Sequence, residues 1–326
     1  MKAIIRNTYG SPDVLQLVEL EKPTPAAGEV LVKVHAASIN MADRYLMRGK
    51  PLVARVMSGG LLRPKSNRLG ADVAGEVVEV GRDVRGFKAG DAVFADLAAC
   101  GFGGFSEYVA VPEKYLAHMP ANLTYEQAAA VPMAAVTVLQ AIRDKAGVKA
   151  GHKVLVHGAS GGVGTFAIQM IKALGAEVTA VCSTRNAAMV RDLGADHVID
   201  YTREDFDRSD RRYDVIIAAN GNRSLADYRR ALTPGGVLVV TGGSMGQIFK
   251  AMAAGAAVFG GKRATALSAQ PSGADLAEVA ALIDSGKVRP VIDATYPLAE
   301  IAAAVRYLEE QHPRGKVILR VNGAHQ

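Results

Sequence analysis

The segment Val154-Leu-Val-His-Gly-Ala-Ser-Gly-Gly-Val-Gly-Thr165 constrains this chain more than any other stretch. An apolar run, Lys153–His157, leads into a glycine-rich turn, and helical patterning follows over Thr165–Leu174. A strand that passes through such a turn into a helix is the opening half of a βαβ unit, whose second strand must lie parallel to the first. The downstream sequence supplies the rest. Glu177–Cys182, His197–Ile199, Asp214–Ala218 and Gly236–Thr241 read as strands, with helices over Asn186–Leu193 and Ser224–Leu232. Alternation at this spacing predicts an α/β doubly wound parallel sheet of the Rossmann kind.

The turn carries chemistry as well as topology. Ala159-x-Gly161-x-x-Gly164 has the spacing of the dinucleotide fingerprint, with alanine in its first place. Glycines let the backbone approach a pyrophosphate closely, and the following helix presents free N–H groups and the positive end of its dipole. Ala159, Ser160, Gly161, Gly162, Val163 and Gly164 are therefore expected to hold a dinucleotide. A site for NAD places an acid about 20 residues further on, against the ribose 2′-hydroxyl. Here Val181-Cys-Ser-Thr-Arg-Asn186 ends the second strand without one. Ser183 and Arg185 offer a hydroxyl and a permanent cation in its place, which favours NADPH. The competing reading makes Ser183 a helix cap and Arg185 a surface charge. Tyr201 reaches the same phosphate or else packs.

Before residue 124 the texture differs. Lys2–Arg6, Leu15–Glu19, Glu29–Ala36, Val73–Val80, Asp91–Ala95 and Ser106–Val111 are short β-prone runs separated by Gly and Pro, as in a compact β domain. Thr124-Tyr-Glu-Gln127 then has the form of a capping box, and Pro132 is expected to interrupt the helix it opens. After residue 265 the pattern changes again: Ala274–Asp284 reads as helix, Val288–Ile292 as strand, Leu298–Glu310 as helix and Lys316–Val321 as strand. Three segments follow, with boundaries at 1–124, 125–265 and 266–326.

Charge excludes more than it proves. The formal excess of +6 is dispersed, with short clusters at Arg208–Arg212 and Lys262–Arg263, and there is no Trp. Without a basic patch interleaved with aromatics, no nucleic-acid partner is expected. Cys100 and Cys182 form no C-x-x-C pair, so neither a disulfide framework nor a cysteine zinc site is indicated. No apolar stretch reaches the roughly 18 residues of a membrane span, the longest apolar region being near Ala251–Gly261. The expectation is a soluble, cytoplasmic protein.

The quoted turn, together with Ala167-Ile-Gln-Met-Ile-Lys172 and Leu193-Gly-Ala-Asp-His-Val-Ile-Asp-Tyr201, resembles the medium-chain dehydrogenase/reductase superfamily. The likeness is greatest to its quinone oxidoreductase branch, which includes the reticulon-4-interacting proteins. Leu69-Gly-Ala-Asp-Val-Ala-Gly-Glu-Val-Val-Glu-Val-Gly81 and Phe87-Lys-Ala-Gly-Asp91 are similar to its N-terminal domain. Gly286-Lys-Val-Arg-Pro-Val-Ile-Asp293 and Arg314-Gly-Lys-Val-Ile318 are similar to its C-terminal end. The resemblance covers essentially the whole chain. It implies a GroES-like substrate domain, formed by the N-terminal part and the C-terminal tail, with an inserted Rossmann domain for NADPH. It further implies a homodimer, which we expect to pair through sheet edges near Gly236–Thr241.

Departures from the family pattern narrow the chemistry. Zinc alcohol dehydrogenases of the superfamily carry metal ligands where this chain has Asn40, Ala71 and Met133, and none of those suits Zn²⁺. Their four-cysteine lobe is also missing near Cys100. Hydride transfer without a Lewis acid calls for an acceptor that is already electrophilic, such as a quinone or an α,β-unsaturated carbonyl. The resemblance places Asn40, Asp43 and Tyr45 on the nicotinamide side of the cleft. Asn40 donates through its amide, Tyr45 donates a phenol proton or merely packs, and Asp43 supports the loop. Thr137, Asn220, Thr241 and Gly242 are implied around the nicotinamide. Lys262 and Arg263 either gate the cleft or face solvent; Arg314 and Lys316 receive no role. The alternative function is an NADPH-binding sensor or structural protein with little turnover.

Overall fold

The computed structural model describes residues 1–220, 223–243, 246 and 261–322. The chain divides into two compact units, Met1–Met133 with Gln270–Asp284 and Pro290–Gln326, and Ala134–Ala269 with Ser285–Arg289.

In the first unit β1 (Lys2–Arg6) and β2 (Leu15–Glu19) form an antiparallel ribbon. The main sheet is organised by β3 (Glu29–Ile39), whose valines at 30, 32 and 34 are fully buried. α1 (Met41–Arg48) and α2 (Leu52–Met57) follow, then β4 (Asp72–Val80), β5 (Ala92–Asp96), β6 (Tyr108–Pro112), β7 (Leu116–His118) and α3 (Tyr125–Ala129). β4 runs antiparallel along almost the whole of β3, with register shifts between Leu31 and Val32 and between Val34 and Ala36. Such bulges bend a strand, so β3 serves β6 with its first half and other partners with its second. α3 carries the expected capping box: the Thr124 N–H donates to Gln127 Oε1 at 2.9 Å, and the Gln127 N–H returns to Thr124 Oγ1 at 3.3 Å. Pro132 does not interrupt a helix but begins one, where its missing N–H costs nothing.

The chain enters the second unit within α4 (Pro132–Gln140), which ends in a π-helical turn over Ala141–Ala146. β8 (Lys153–His157), α5 (Gly162–Ala173), β9 (Glu177–Cys182), α6 (Ala187–Asp192), β10 (His197–Asp200), β11 (Tyr213–Ala218), α7 (Leu225–Ala231), β12 (Leu232–Val240) and β13 (Arg263–Ala266) follow in alternation. The sheet is parallel throughout, in the order β10-β9-β8-β11-β12-β13. Strand order reverses between β8 and β11, the switch point at which open sheets of this kind bind ligands. One expectation fails here. β12, which contains most of Gly236–Thr241, is hydrogen-bonded on both sides and offers no edge; β10 and β13 are the edges among the described residues. Most of the apolar run at Ala251–Gly261 lies outside the described residues.

The chain returns to the first unit through α8 (Gly273–Asp284), β14 (Ile292–Pro297), α9 (Ile301–Glu310) and β15 (Lys316–Arg320). β14 pairs parallel to β15, and β15 pairs antiparallel to the second half of β3. The strand expected over Val288–Ile292 begins only at Ile292. Pro290 has no N–H for a ladder, and the backbone of Arg289 is satisfied by a side chain instead. Gln169 on α5 donates to the Arg289 carbonyl and accepts its N–H, both at 2.9 Å.

Glycines at positive φ differ in what surrounds them. Gly70, just before β4, has φ +92°, and an added Cβ would lie 2.5 Å from the Phe105 nitrogen. Gly90, in the turn before β5, has φ +91° and open space around it. The backbone penalty is common to both, but only Gly70 adds a collision with fixed main chain. Gly70→Ala should therefore lower stability in urea by about 2–4 kcal/mol, against about 1 kcal/mol for Gly90→Ala. Equal losses would show that backbone conformation alone sets the requirement.

Candidate active site

The dinucleotide turn is built as its sequence requires. Gly158 at φ +83° turns the chain at the end of β8, and a Cβ there would lie 2.8 Å from that of Asn220. The N–H groups of Ala219 and Asn220 both donate to the His157 carbonyl, at 2.9 and 3.3 Å, so the ends of β8 and β11 are tied together. At Gly164 a Cβ would lie 2.2 Å from the Gly158 oxygen, which fixes glycine where α5 crosses the strand. Gly161 caps α5 without any side-chain hydrogen bond, so no cap side chain occupies the first turn's N–H groups. Ala159 is buried, and Ser160, Gly162 and Val163 are half-buried beside it.

At the end of β9, Ser183 occupies a cap position, yet its side chain makes no capping bond. The part played by Asn186 has no signal in the sequence. Buried at 4 % exposure, it donates from Nδ2 to Ser160 Oγ at 2.9 Å and to Ser183 Oγ at 3.3 Å. One amide thus ties the glycine turn to the hydroxyl at the end of β9. Arg185 is exposed on the same short turn, and Tyr201 is 54 % exposed, its N–H donating to the Cys182 carbonyl at 3.1 Å. An acid does stand nearby: Asp200 pairs with Cys182 across β10 and β9. Its oxygens are occupied by the Thr184 hydroxyl and by the Thr202 N–H and hydroxyl, which hold it below the ordinary carboxylate range. The glycine contacts, the uncapped α5 and the linked serines fit a dinucleotide.

Thr137 is buried on α4. The Thr241 N–H donates to the Ala218 carbonyl at 3.0 Å, and a Cβ on Gly242 would lie 2.3 Å from the Ala219 oxygen. Asn220, Thr241 and Gly242 thus cluster at the C-terminal ends of β11 and β12. The Lys262 ammonium donates to the Arg229 carbonyl at 2.8 Å, near the end of α7. Arg263 and Arg314 are exposed.

In the first unit, Asn40 and Asp43 belong to a buried polar cluster larger than the sequence indicated. Asp43 accepts the Asn40 N–H on one oxygen and the Gly70 N–H on the other, both at 2.8 Å. It thereby starts α1 and fastens it to the entry of β4. Asp72 Oδ2 accepts from Ser38 Oγ at 2.8 Å, Asn40 Nδ2 at 3.0 Å and Lys316 Nζ at 3.0 Å. Its Oδ1 accepts the Met133 N–H at 2.8 Å. Lys316 Nζ also donates to Asn40 Oδ1 at 2.6 Å. Lys316 is 4 % exposed and Asp72 fully buried, so this is an interior ion pair. Pairing register explains the meeting. Ser38 of β3 lies opposite Asp72 of β4, which lies opposite Asp96 of β5, and β15 runs along the end of β3. Gly315 delivers the lysine: at φ +74°, a Cβ would lie 2.2 Å from the Val291 oxygen.

Burial pushes the carboxyls of Asp43 and Asp96 up to about 7; for Asp96 the neighbouring Asp72 adds to the effect. Tyr45 is half-buried on α1, with the Arg44 guanidinium carbon 5.6 Å from its ring centroid. Ala71 contributes only its carbonyl, to the Leu97 N–H at 2.8 Å. Burial raises the thiols of Cys100 and Cys182 to about 12 and about 11, so neither is a ready nucleophile. Among the described residues no group of three or more His, Cys, Asp or Glu converges as metal ligands do, and no helix is long and apolar enough to cross a membrane.

Comparison with known proteins agrees with both units. Residues 26–121 match the alcohol dehydrogenase GroES-like domain, and residues 193–319 match the family described as zinc-binding dehydrogenase. The mouse protein named NAD(P)H oxidoreductase RTN4IP1, mitochondrial, is 36 % identical over 358 residues, covering 98 % of this chain and 89 % of that protein. An Arabidopsis thaliana NADPH-dependent alkenal/one oxidoreductase, chloroplastic, is 34 % identical over 330 residues, covering 98 % of this chain and 79 % of the relative. The solved quinone oxidoreductase of Coxiella burnetii superposes with a TM-score of 0.88 at 33 % identity, over 99 % of each chain.

The Asp43 carboxyl titrates at about 7 in the folded chain against an ordinary 3.8. Folding therefore takes up a proton between those values, and the stability Asp43 contributes is lost as pH rises through them. Asp43→Asn removes the titration along with one backbone acceptor. The stability gap between wild type and Asp43→Asn, read from denaturant midpoints, should be wider at about pH 5 than at about pH 8. A gap that widens with pH would reverse the assignment.

Proposed function

The chain belongs to the medium-chain dehydrogenase/reductase superfamily, and from that membership we propose that it is a zinc-independent enzyme reducing quinones or α,β-unsaturated carbonyls with NADPH. The buried Asn40–Asp72–Lys316 cluster supports this reading most. It stands where zinc alcohol dehydrogenases of the superfamily bind metal. The amide of Asn40 is already engaged by Lys316 and Asp72, and neither Ala71 nor Met133 offers the nitrogen, oxygen or thiolate ligand that zinc prefers. In this reading residues 1–124 and 266–326 handle the acceptor and residues 125–265 the cofactor.

NADPH, when bound, supplies the hydride. Gly158 to Gly164 and the N-terminus of α5 would hold its pyrophosphate, and Ser183, Arg185 and Tyr201 its 2′-phosphate. Thr137, Asn220, Thr241 and Gly242 would line the nicotinamide. Asn40 donates an N–H to the acceptor's carbonyl oxygen as negative charge grows there, and Tyr45 delivers a proton from its Oη to the enolate or hydroquinone oxygen. Asp43 holds the start of α1 in place. The names of the relatives, which cover NAD(P)H, alkenal/one and quinone chemistry, agree with this acceptor class. A cytoplasmic, homodimeric protein completes the proposal. Both cysteines are free, while the two curated relatives named above are mitochondrial and chloroplastic.

Two measurements test the reading. Arg185→Ala should weaken NADPH binding about 10- to 100-fold and leave NADH nearly unchanged, because a hydrogen bond to a charged group contributes about 1.5–3 kcal/mol; equal wild-type affinities for the two cofactors would remove the 2′-phosphate assignment. In an acceptor screen, quinones and enones should turn over while simple primary alcohols do not, and Tyr45→Phe should lower kcat for an enone more than for a quinone. Efficient oxidation of ethanol would overturn the reaction class.

A further inference from the structure

We infer that Lys316 is a positioning residue, which together with Asp72 locks the side-chain amide of Asn40 in one orientation and leaves a single N–H for the acceptor's oxygen. The inference rests on the proposed role of Asn40 as a donor. An asparagine amide can turn over, exchanging its oxygen and nitrogen, unless its neighbours distinguish the two. Here they do. An ammonium only donates, so the atom 2.6 Å from Lys316 Nζ must be the amide oxygen. An ionised carboxylate only accepts, so the atom 3.0 Å from Asp72 Oδ2 must be the amide nitrogen. The flipped amide would set N–H against ammonium and oxygen against carboxylate, two repulsive contacts in a buried site.

The count of donors then gives the consequence. Nδ2 carries two hydrogens, and Asp72 takes one. The second makes no hydrogen bond among the described residues. Lys316 and Asp72 are themselves held: Asp72 by Ser38 Oγ and the Met133 N–H, and Lys316 by its backbone N–H on the Val291 carbonyl at 2.9 Å. The donor is thus fixed by a shell of main-chain and side-chain bonds before any acceptor arrives, as preorganised stabilisation of developing charge requires. Lys316 need not touch the acceptor for this effect, which is transmitted through Asn40.

The test is a double-mutant cycle on the full-length enzyme, with 3-penten-2-one as the enone probe and NADPH as reductant. Asn40→Ala should lower kcat about 10²–10³-fold. Lys316→Met should lower it at least about 10-fold, with the KM for the enone altered less than about 3-fold, and Lys316→Arg should recover most of the loss. In the Asn40→Ala background, Lys316→Met should cause almost no further loss, because its only route to the reaction is gone. The second readout is independent of turnover. In wild type, one side-chain N–H of Asn40 should exchange slowly with solvent and the two amide protons should differ widely in NMR shift; Lys316→Met should remove both signatures. If Lys316→Met fails to fold, Lys316→Gln takes its place, with Lys316→Arg still the rescuing variant. Undiminished kcat in Lys316→Met, or in Lys316→Gln where it replaces it, beside an impaired Asn40→Ala would overturn the inference, as would additive losses in the cycle. Full activity of Asn40→Ala would instead overturn the donor role of Asn40, and the NMR signature alone would then decide whether Lys316 orients the amide.

Discussion

The buried contact between the Lys316 ammonium and the Asp72 carboxylate is the constraint around which the first unit is arranged. An interior charge is tolerated only when it is paired and hydrogen-bonded, and removing one partner of such a pair costs about 3–5 kcal/mol. The pair therefore demands that β15, near the C-terminus, lie beside β3, and that β4 present Asp72 opposite Ser38. It also demands the start of α4, whose Met133 N–H completes Asp72. Four distant stretches of sequence are thereby brought to one point.

The parallel sheet was legible because its signals are local. A strand, a glycine turn and a helix in succession leave few topologies, and four of the five later strands could be counted from their own apolar runs; β13, Arg263–Ala266, has too short a run to show. The β-rich unit was legible as a class but not as a sheet order, since antiparallel partners are set by long-range pairing. Val288–Ile292 shows the limit on a finer scale. Its β-prone residues form no strand until Ile292, because Pro290 removes a donor and Gln169, more than a hundred residues earlier, satisfies Arg289 instead. No window along the sequence contains that competition. The supposed edge near Gly236–Thr241 failed for the same reason, since whether a strand is covered depends on β13 arriving beside it.

The site divides along the same line. Asn40 and Asp43 stood out through the family resemblance, and Asp43 does what a residue three positions into a helix can do, accepting the N–H that opens it. Lys316 sat in a motif quoted for its resemblance, yet its side chain had no readable role. A lysine is ordinarily solvent-exposed, and nothing in Arg314-Gly-Lys-Val-Ile318 shows that Gly315 presses the backbone against Val291 and turns the lysine inward. Asn186 escaped for a related reason. It follows Arg185 in a stretch read for charge, while its function is to bridge two hydroxyls from different loops.

The cluster's charges bear on the kind of donor that Asn40 can be. Three carboxyl groups, Asp43, Asp72 and Asp96, stand near one ammonium, and full ionisation would leave the interior strongly negative. Burial eases the conflict by raising Asp43 and Asp96 to about 7, so that each gives up its proton far less readily than an ordinary carboxyl. A neutral amide set between the opposite charges of Asp72 and Lys316 is polarised along the line joining them, oxygen toward the cation and nitrogen toward the anion. Its remaining N–H belongs to a group already aligned by the field around it. Such a donor does not have to reorient when charge develops on an oxygen beside it, and it is in avoiding that reorganisation that a folded site improves on water.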